Sequence, residues 1–259
     1  MRKYSQKRNF FRLRFWLMSD LSGKVVVVTG GGTGIGLGIA EALAAEGCKV
    51  VIGGRREEKI REAAESCDPP LYYHQVNVGQ RPSVKDLFEW VEKELGPVDI
   101  LVNSAGVNIK NRKMSEMSPE QWDEVISANV TGAYNCMYCV LPKMREKGDG
   151  IIINISSIAG KRAAALGGVA YCASKFAMTA LGTAVGNEVA SEGVRITNIY
   201  PGEVNTPILE NRPAPVSEER KATMLMPEDL GHMVAAICKL PPRAHVPEMV
   251  IKPLVQEYI

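Results

Sequence analysis

The sequence predicts an α/β protein with a doubly wound parallel sheet of seven strands, folded as a single domain over residues 21–259. Two stretches carry this prediction. Near the start, a valine-rich run is followed by a glycine-rich turn and a helical pattern, and around residue 171 a helical pattern lies between two apolar runs of strand length. Strands that alternate with helices in this way are typical of parallel sheets. A chain of 259 residues, of which 46% are hydrophobic, can bury one large core.

The first strand and the turn after it predict an anion site. The strand is predicted over residues 24–29, residues 30–36 are rich in glycine, and a helix is predicted to follow as far as Glu46. At such a turn the backbone amides converge, and the helix dipole favours a pyrophosphate. The strict G-x-G-x-x-G fingerprint fails in every register, so the turn belongs to a different nucleotide-binding type.

The end of the second strand indicates which dinucleotide the turn receives. This strand is predicted over residues 49–53, and the chain continues with Gly54, Arg55 and Arg56. An acid at this place accepts hydrogen bonds from a ribose 2′-hydroxyl, and no acid is present. Two guanidinium groups suit a 2′-phosphate, which predicts NADP(H), with NAD less favoured. In the alternative interpretation, the two arginines only begin a solvated helix.

Five further strands and four helices complete the predicted order of elements. The strands are expected at residues 71–76, 98–102, 151–157, 195–200 and 245–253. The helices are expected at residues 82–95, 119–145, 170–192 and 224–240. The helix at 119 begins with a capping box that carries proline at the first helical position, in the residues Ser118-Pro119-Glu120-Gln121.

Tyr171 and Lys175 form the pair with the clearest chemistry. Because they lie four residues apart on a predicted helix, they project from the same face, and the ammonium can lie beside the phenol. A nearby positive charge favours phenolate and lowers the pKa of a tyrosine, which lets Tyr171 give or take a proton. The alternative is an exposed pair without a catalytic role. The strand before the pair leads to Ser157, and the strand after it closes in Pro201 and Gly202.

Six motifs in order resemble those of the short-chain dehydrogenase/reductase family, and from Leu21 onward the chain resembles a classical member. Residues 29–36 match Thr-Gly-x-x-x-Gly-x-Gly, and residues 103–106 read Asn-Ser-Ala-Gly where the family has Asn-Asn-Ala-Gly. Residues 201–206 match the family's proline-glycine turn. The other matches are the helix asparagine and the catalytic serine, tyrosine and lysine, which are Asn129, Ser157, Tyr171 and Lys175.

The resemblance implies a Rossmann fold and a role for each of these four residues. Tyr171 is expected to act as general acid or base on the substrate oxygen, with Ser157 hydrogen-bonded to that oxygen. Lys175 is expected to lower the tyrosine pKa and to hold the nicotinamide ribose, and Asn129 to position a proton-relay water at a helix kink. The resemblance also implies a cofactor site made of Gly30, Gly32, Thr33, Gly34, Ile35, Gly36, Arg55, Arg56, Asn77, Val78, Asn103, Ala105, Gly106, Tyr171, Lys175, Pro201, Gly202, Val204 and Thr206.

The implied activity is hydride transfer between NADP(H) and a small-molecule carbonyl or secondary alcohol, with reduction of the carbonyl as the expected direction in a reducing cell. Residues 207–223 fold over the substrate in this family, and their small number predicts a fairly open pocket. No ionic anchor for a substrate stands out in the loops after Gly106, Ser157 and Thr206. The alternatives are an epimerase or dehydratase relative, which shares Tyr-x-x-x-Lys, and an NADP-sensing regulatory protein.

Members of this family pair through the two long helices, so a homotetramer or homodimer is expected. Helix positions that suit close contact between subunits carry small or medium side chains, at Ala133, Cys136, Val140, Ala177, Ala180 and Ala184.

Charge and cysteine usage exclude several other classes. Residues 1–17 contain six bases and no acid, and the rest of the chain has an excess of acids, which argues against nucleic-acid binding by the folded domain. Residues 1–20 are therefore predicted to be a basic, disordered extension, with a targeting segment as the alternative and Met18 as a natural start.

The six cysteines lack the spacing of a disulfide framework or a zinc site, so reduced thiols, no metal and a cytoplasmic location are expected. No run of about 20 apolar residues is present to cross a membrane.

Overall fold

The protein folds around one seven-stranded sheet in which every strand pairs with its neighbours in parallel. The computed structural model describes residues 18–257, and the strand order is β3-β2-β1-β4-β5-β6-β7. This order confirms the predicted doubly wound sheet. The strands are β1 (Val25–Thr29), β2 (Lys49–Gly54), β3 (Tyr72–Gln75), β4 (Ile100–Asn103), β5 (Gly150–Ile155), β6 (Val194–Pro201) and β7 (Glu248–Ile251).

Helices cover both faces of the sheet. In chain order they are α1 (Gly34–Ala45), α2 (Glu57–Ser66), α3 (Arg81–Leu95), α4 (Pro119–Ile126), α5 (Gly132–Lys147), α6 (Val169–Val189), α7 (Glu218–Lys221) and α8 (Pro227–Cys238). One apolar cluster joins α1, α2 and α8 to one face. The other cluster joins α3, α5 and α6 to the opposite face.

The central strands are buried on both faces, which explains their continuous apolar sequences. In β1, Val26 and Val28 point into one cluster, whereas Val25 and Val27 point into the other. Because every strand is parallel, the loops that follow the strands all emerge at one edge of the sheet, and residues from distant motifs meet there.

The helix predicted over residues 119–145 is divided. The predicted capping box is present, because Gln121 N donates to Ser118 Oγ and Ser118 N donates to Gln121 Oε1. A π-helical segment, Ser127–Thr131, then separates α4 from α5. Asn129 lies inside this π-helical segment, and a segment of this kind is a common cause of helix kinks.

Two predicted boundaries are wrong because of proline. The last strand begins at Glu248 rather than at residue 245, since Pro247 has no N–H to give to the sheet. The last helix begins at Pro227 rather than at residue 224, and a proline at the first helical position is typical because its missing N–H has no helical partner there.

Half of the small side chains predicted for subunit contacts lie inside this subunit. Ala133, Cys136 and Val140 are buried in the core beneath α5, so they cannot contact a second copy. The same helix exposes Tyr134 and Tyr138 instead, and α6 exposes Phe176.

The predicted extension at residues 1–20 lies outside the described residues up to residue 17. The next residues contact the domain, since Ser19 N donates to Lys239 O at 2.8 Å and Ser19 Oγ donates to Leu240 O at 3.3 Å. Between residues 18 and 257, no helix is long and apolar enough to cross a membrane.

Candidate active site

A cleft of about 1100 Å³ lies along the carboxyl ends of the strands. Its walls come from the turn after β1, the ends of β2 and β4, the loop after β5, helix α6 and the segment after β6. Every predicted site residue lines this cleft except Asn103 and Asn129. The sheet topology therefore brings together motifs that are up to about 170 residues apart in sequence.

The glycine turn approaches the segment after β4 closely. Gly30 has a φ of 69°, and a Cβ on it would lie 2.7 Å from Ala105 Cα. Only glycine adopts this backbone readily and leaves that space. Thr29 Oγ1 accepts a hydrogen bond from Ala105 N at 3.3 Å, which fixes the two segments to each other.

The amino end of α1 is open to an anion. Thr33, at the N-cap, makes no side-chain capping hydrogen bond, and the first turn of the helix contains no acid. The first amides of a helix lack helical partners and carry a partial positive charge. Because this helix end lines the cleft, it fits the pyrophosphate of a dinucleotide, and the cleft is large enough to hold one.

Three cations line the cleft beyond the end of β2. Arg55 and Arg56 precede α2, and Lys59 lies in its first turn. Arg55 is mostly exposed, and its Nη1 lies 3.7 Å from Glu124 Oε1. The sequence analysis missed Lys59. Its position three residues after Arg56, where the two arginines could begin a helix, was the signal that could have placed it beside them.

Tyr171 and Lys175 lie on the same face of α6, as predicted. The Lys175 ammonium is 5.6 Å from the centre of the Tyr171 ring. It is buried, and it donates to the carbonyl oxygen of Ile155 at 2.7 Å. Burial lowers the pKa of Lys175 to about 8, because desolvation disfavours the ammonium form.

Ser157 lies two residues beyond β5 and faces the same site. Its hydroxyl accepts from Ala159 N at 3.1 Å, which begins the 3₁₀ turn Ile158–Gly160 and fixes the side chain. Ser157 and Tyr171 line the same cleft.

The pKa of Tyr171 is raised, which differs from the expected lowering. Burial is the largest cause, while the hydrogen bond from Ser157 and the guanidinium of Arg112 act in the opposite direction. In this structure, Arg112 is therefore a cation that favours the phenolate, and sequence reasoning did not identify it.

Asn129 lies behind the cleft and fixes the loop after β4. Its Oδ1 accepts from Val107 N at 2.7 Å, and its Nδ2 donates to Val107 O at 3.0 Å. The same Nδ2 donates to Ser174 Oγ at 2.9 Å, which connects the π-helical segment to α6. Asn103 also lies below the cleft, where its Nδ2 donates to Asn154 Oδ1 at 2.9 Å.

The segment after β6 is held by ion pairs. Glu203 is mostly buried, and it pairs with Arg212 Nη2 at 2.8 Å and with Arg220 at a shorter distance. Both arginines belong to residues 207–223, here called the substrate loop. This loop is therefore attached to the rim of the cleft at two points.

Among the residues between 18 and 257, no group of three or more His, Cys, Asp and Glu side chains could hold a metal ion.

Comparison with known proteins agrees with this geometry. The family model described as short chain dehydrogenase matches residues 24–216. An uncharacterized oxidoreductase of Staphylococcus epidermidis is 32% identical over 237 residues, which cover 92% of this chain and all of the relative.

Two solved structures carry a bound nicotinamide dinucleotide. A serine dehydrogenase complexed with NADP+ is 30% identical, with a TM-score of 0.83, and the match covers 90% of this chain and 96% of that one. A 3-ketoacyl-(acyl-carrier-protein) reductase from Brucella melitensis complexed with NADH is 26% identical, with a TM-score of 0.82, covering 90% and 98%. The present chain belongs to the short-chain dehydrogenase family, and it is an NAD(P)-dependent short-chain oxidoreductase.

Proposed function

We propose that this protein interconverts a carbonyl compound and a secondary or primary alcohol with NADP(H). The observation that carries the proposal is the convergence of Ser157, Tyr171 and Lys175 in the same cleft as an uncapped helix end and three cations. In the family, the bound dinucleotide supplies or accepts the hydride.

In the proposed reaction, Tyr171 gives a proton to the carbonyl oxygen during reduction and takes it back during oxidation. Ser157 supports this step, because its hydroxyl acts to lower the pKa of Tyr171 and is fixed by the 3₁₀ turn. Lys175 is held at the end of β5 with an ammonium pKa of about 8, so it can exchange a proton near neutral pH. Asn129 is assigned a supporting role, since it fixes Val107 and α6 rather than lining the cleft.

The preference for NADP(H) over NAD(H) is supported by charge. Arg55, Arg56 and Lys59 offer three positive groups where a 2′-phosphate requires them. The end of β2 carries Gly53 and Gly54 and no carboxylate that could accept hydrogen bonds from a ribose diol. The solved relatives include proteins with NADP+ and with NADH bound, so the test of the preference has to be made on this chain.

The assembly is proposed to be a homodimer or homotetramer that pairs through α5 and α6. Tyr134 and Tyr138 are exposed one helical turn apart on α5, with ring centres 6.0 Å from each other. Exposed aromatic side chains are enriched at the centres of protein interfaces.

The experiment that tests the activity measures NADPH absorbance with a panel of carbonyl compounds. The panel contains an aliphatic aldehyde, an aromatic ketone, a β-keto ester, a 2-oxo acid and a ketose. We expect NADPH to be consumed with at least one of them, and Tyr171→Phe to abolish the consumption. Binding of NADPH without turnover on the whole panel would favour a sensor, and conversion of a sugar without net change in NADPH would favour an epimerase.

A further inference from the structure

Arg112 lies in the loop between β4 and α4, and it is 8% exposed. It lines the same cleft as Ser157 and Tyr171. No motif singled it out in the sequence, because two of the three carbonyl partners of its guanidinium, Leu166 and Asn211, are distant along the chain.

The guanidinium of Arg112 joins three segments through their backbone carbonyls. Nε donates to Ile109 O at 2.9 Å within its own loop. Nη1 donates over a short distance to Leu166 O in the loop between β5 and α6. Nη2 donates to Asn211 O in the substrate loop at 2.9 Å. A planar fork with several donors can reach three acceptors in this way, whereas a lysine cannot.

The backbone of Arg112 supports the start of the helix that carries Tyr171. Its carbonyl oxygen accepts from Val169 N, the first residue of α6, at 3.1 Å. Gly168 just before it has a φ of 80°, and a Cβ there would lie 2.5 Å from Arg112 Cβ. Tyr171 is only two residues further along the helix.

The charge of Arg112 is not balanced by an acid. Across residues 18–257, no carboxylate lies within ion-pair distance of its guanidinium, whereas its neighbour Arg212 is paired with Glu203 at 2.8 Å. Buried charges are usually paired. Here, three carbonyl oxygens hold the guanidinium while the positive charge stays in the wall of the cleft.

The charged groups around Tyr171 come from three elements. Arg112, from the loop after β4, lowers the pKa of the phenol, and the neighbouring Cys172 raises it. Lys175 lies one helical turn away, with its ammonium 5.6 Å from the ring centre. Burial is the largest cause that lowers the pKa of Arg112, and the charge of Arg212, from the substrate loop, lowers it further.

We propose that Arg112 is a positioning residue that ties the substrate loop to the start of the Tyr171 helix and holds a fixed positive charge in the wall of the cleft that the phenol also lines. The proposal rests on the proposed proton-transfer role of Tyr171. It goes beyond the family's set of four residues, because it assigns two roles to Arg112. These roles are the attachment of the substrate loop and part of the electrostatic stabilisation of the Tyr171 phenolate.

Two variants separate the two roles. Arg112→Met removes the fork and the charge, whereas Arg112→Lys keeps the charge but cannot span the three carbonyls. Lys113→Met is the matched control, because Lys113 is the exposed neighbour and pairs only with Glu116 at 2.8 Å among the described ion pairs. Circular dichroism and thermal melting establish that each variant is folded. If Arg112→Met does not fold, Arg112→Lys still tests the attachment of the loop.

The first readout is limited trypsin cleavage after Arg220 and Lys221, which lie in the substrate loop. We expect cleavage there to be several-fold faster in both Arg112 variants and unchanged in Lys113→Met. Equal cleavage rates in wild type and Arg112→Lys would overturn the attachment.

The second readout is the alkaline limb of the pH profile of kcat/KM for reduction of the carbonyl compound that the panel identifies. We expect the limb to move to higher pH in Arg112→Met, because a positive charge that favours the phenolate is removed, and to stay in place in Arg112→Lys. The same pKa is measured without turnover from the phenolate absorbance difference between each protein and its Tyr171→Phe counterpart. An unmoved phenol pKa in Arg112→Met overturns the charge role. A panel without any turnover contradicts the proposed function, and trypsin cleavage and the phenolate absorbance then still test the two roles of Arg112.

Discussion

Lys175 donates a hydrogen bond to the carbonyl oxygen of Ile155 at 2.7 Å, so the helix that carries Tyr171 is tied to the last residue of β5. The strand supplies Ser157 two residues later, and this bond therefore fixes the relative positions of the serine and the tyrosine. The ammonium is also buried without a carboxylate partner among residues 18–257, which lowers its pKa to about 8.

The first prediction concerns stability and pH. An unfolded lysine has a pKa of about 10.4, so between pH 8 and 10 the unfolded chain binds more protons at this position than the folded protein does. The free energy of unfolding of the wild type should therefore increase as the pH rises through this range, relative to that of a variant without an ionisable group at residue 175. We expect Lys175→Met to lose stability relative to wild type as the pH rises from 7 to 10.

Urea unfolding of both proteins at several pH values measures this difference. Lys49→Met, at an exposed position of β2, is the control for the loss of a lysine side chain. A constant difference for Lys175→Met would show that the ammonium is not destabilised in the folded protein.

The second prediction concerns Tyr171. Tyr171→Phe removes the hydroxyl and little volume, so we expect NADPH affinity to be kept and kcat to fall by about 10²- to 10⁴-fold, which is the usual contribution of a general acid. Fluorescence titration measures affinity, and NADPH absorbance measures turnover. Tyr138→Phe on the exposed face of α5 is the control. More than a tenth of the wild-type activity in Tyr171→Phe would exclude this phenol as the proton donor.

The third prediction concerns assembly. Tyr138 is 70% exposed on α5, and a charge placed there should separate subunits that meet through this helix. We expect light scattering to give a dimer or tetramer for the wild type at micromolar concentration and a smaller species for Tyr138→Glu. A monomeric wild type would contradict the proposed assembly.

The fourth prediction concerns the amino terminus. Deletion of residues 1–17 is expected to leave activity and melting temperature unchanged. Deletion of residues 1–20 also removes the two hydrogen bonds of Ser19 to Lys239 and Leu240, each worth about 0.5–1.5 kcal/mol net. We therefore expect a lower melting temperature in calorimetry for the second deletion only. A lower melting temperature for the first would show that residues before Met18 stabilise the domain.

Local patterns explain why so much of the fold and site could be predicted. The glycine turn, the capping box at Ser118 and the spacing of Tyr171 and Lys175 each depend on neighbouring residues, and their chemistry can be interpreted without knowing the fold. The order of strands adds the rest, since the carboxyl ends of parallel strands meet at one edge.

Long-range contacts explain what could not be predicted. Arg112 gains its position from carbonyls 54 and 99 residues away, and nothing in its own segment indicates them. The spacing of Ala133, Cys136 and Val140 marks one face of a helix, but the same spacing suits the core and a subunit interface equally. Only the packing of α5 on the sheet decides that this face is buried.

The last prediction concerns the choice of dinucleotide. Gly54→Asp would place an acid at the end of β2, but a Cβ on Gly54 would lie 2.8 Å from Ile60 Cγ2, so that change would also disturb α2. The preference is better tested by removing the cations. A hydrogen bond to a charged group contributes about 1.5–3 kcal/mol, which corresponds to about a ten- to a hundredfold preference for NADPH over NADH.

We expect Arg55→Ile to remove most of this preference and Lys59→Met to remove part of it, because both side chains line the cleft. Arg61→Ile is the matched control on α2, since Arg61 is exposed and does not line the cleft. The measurement is kcat/KM for each dinucleotide at fixed ionic strength, because salt screens exposed charges. If wild type uses NADH as well as NADPH, or if Arg55→Ile and Arg61→Ile change the ratio equally, then Arg55 and Arg56 only begin a solvated helix and the assignment of the 2′-phosphate fails.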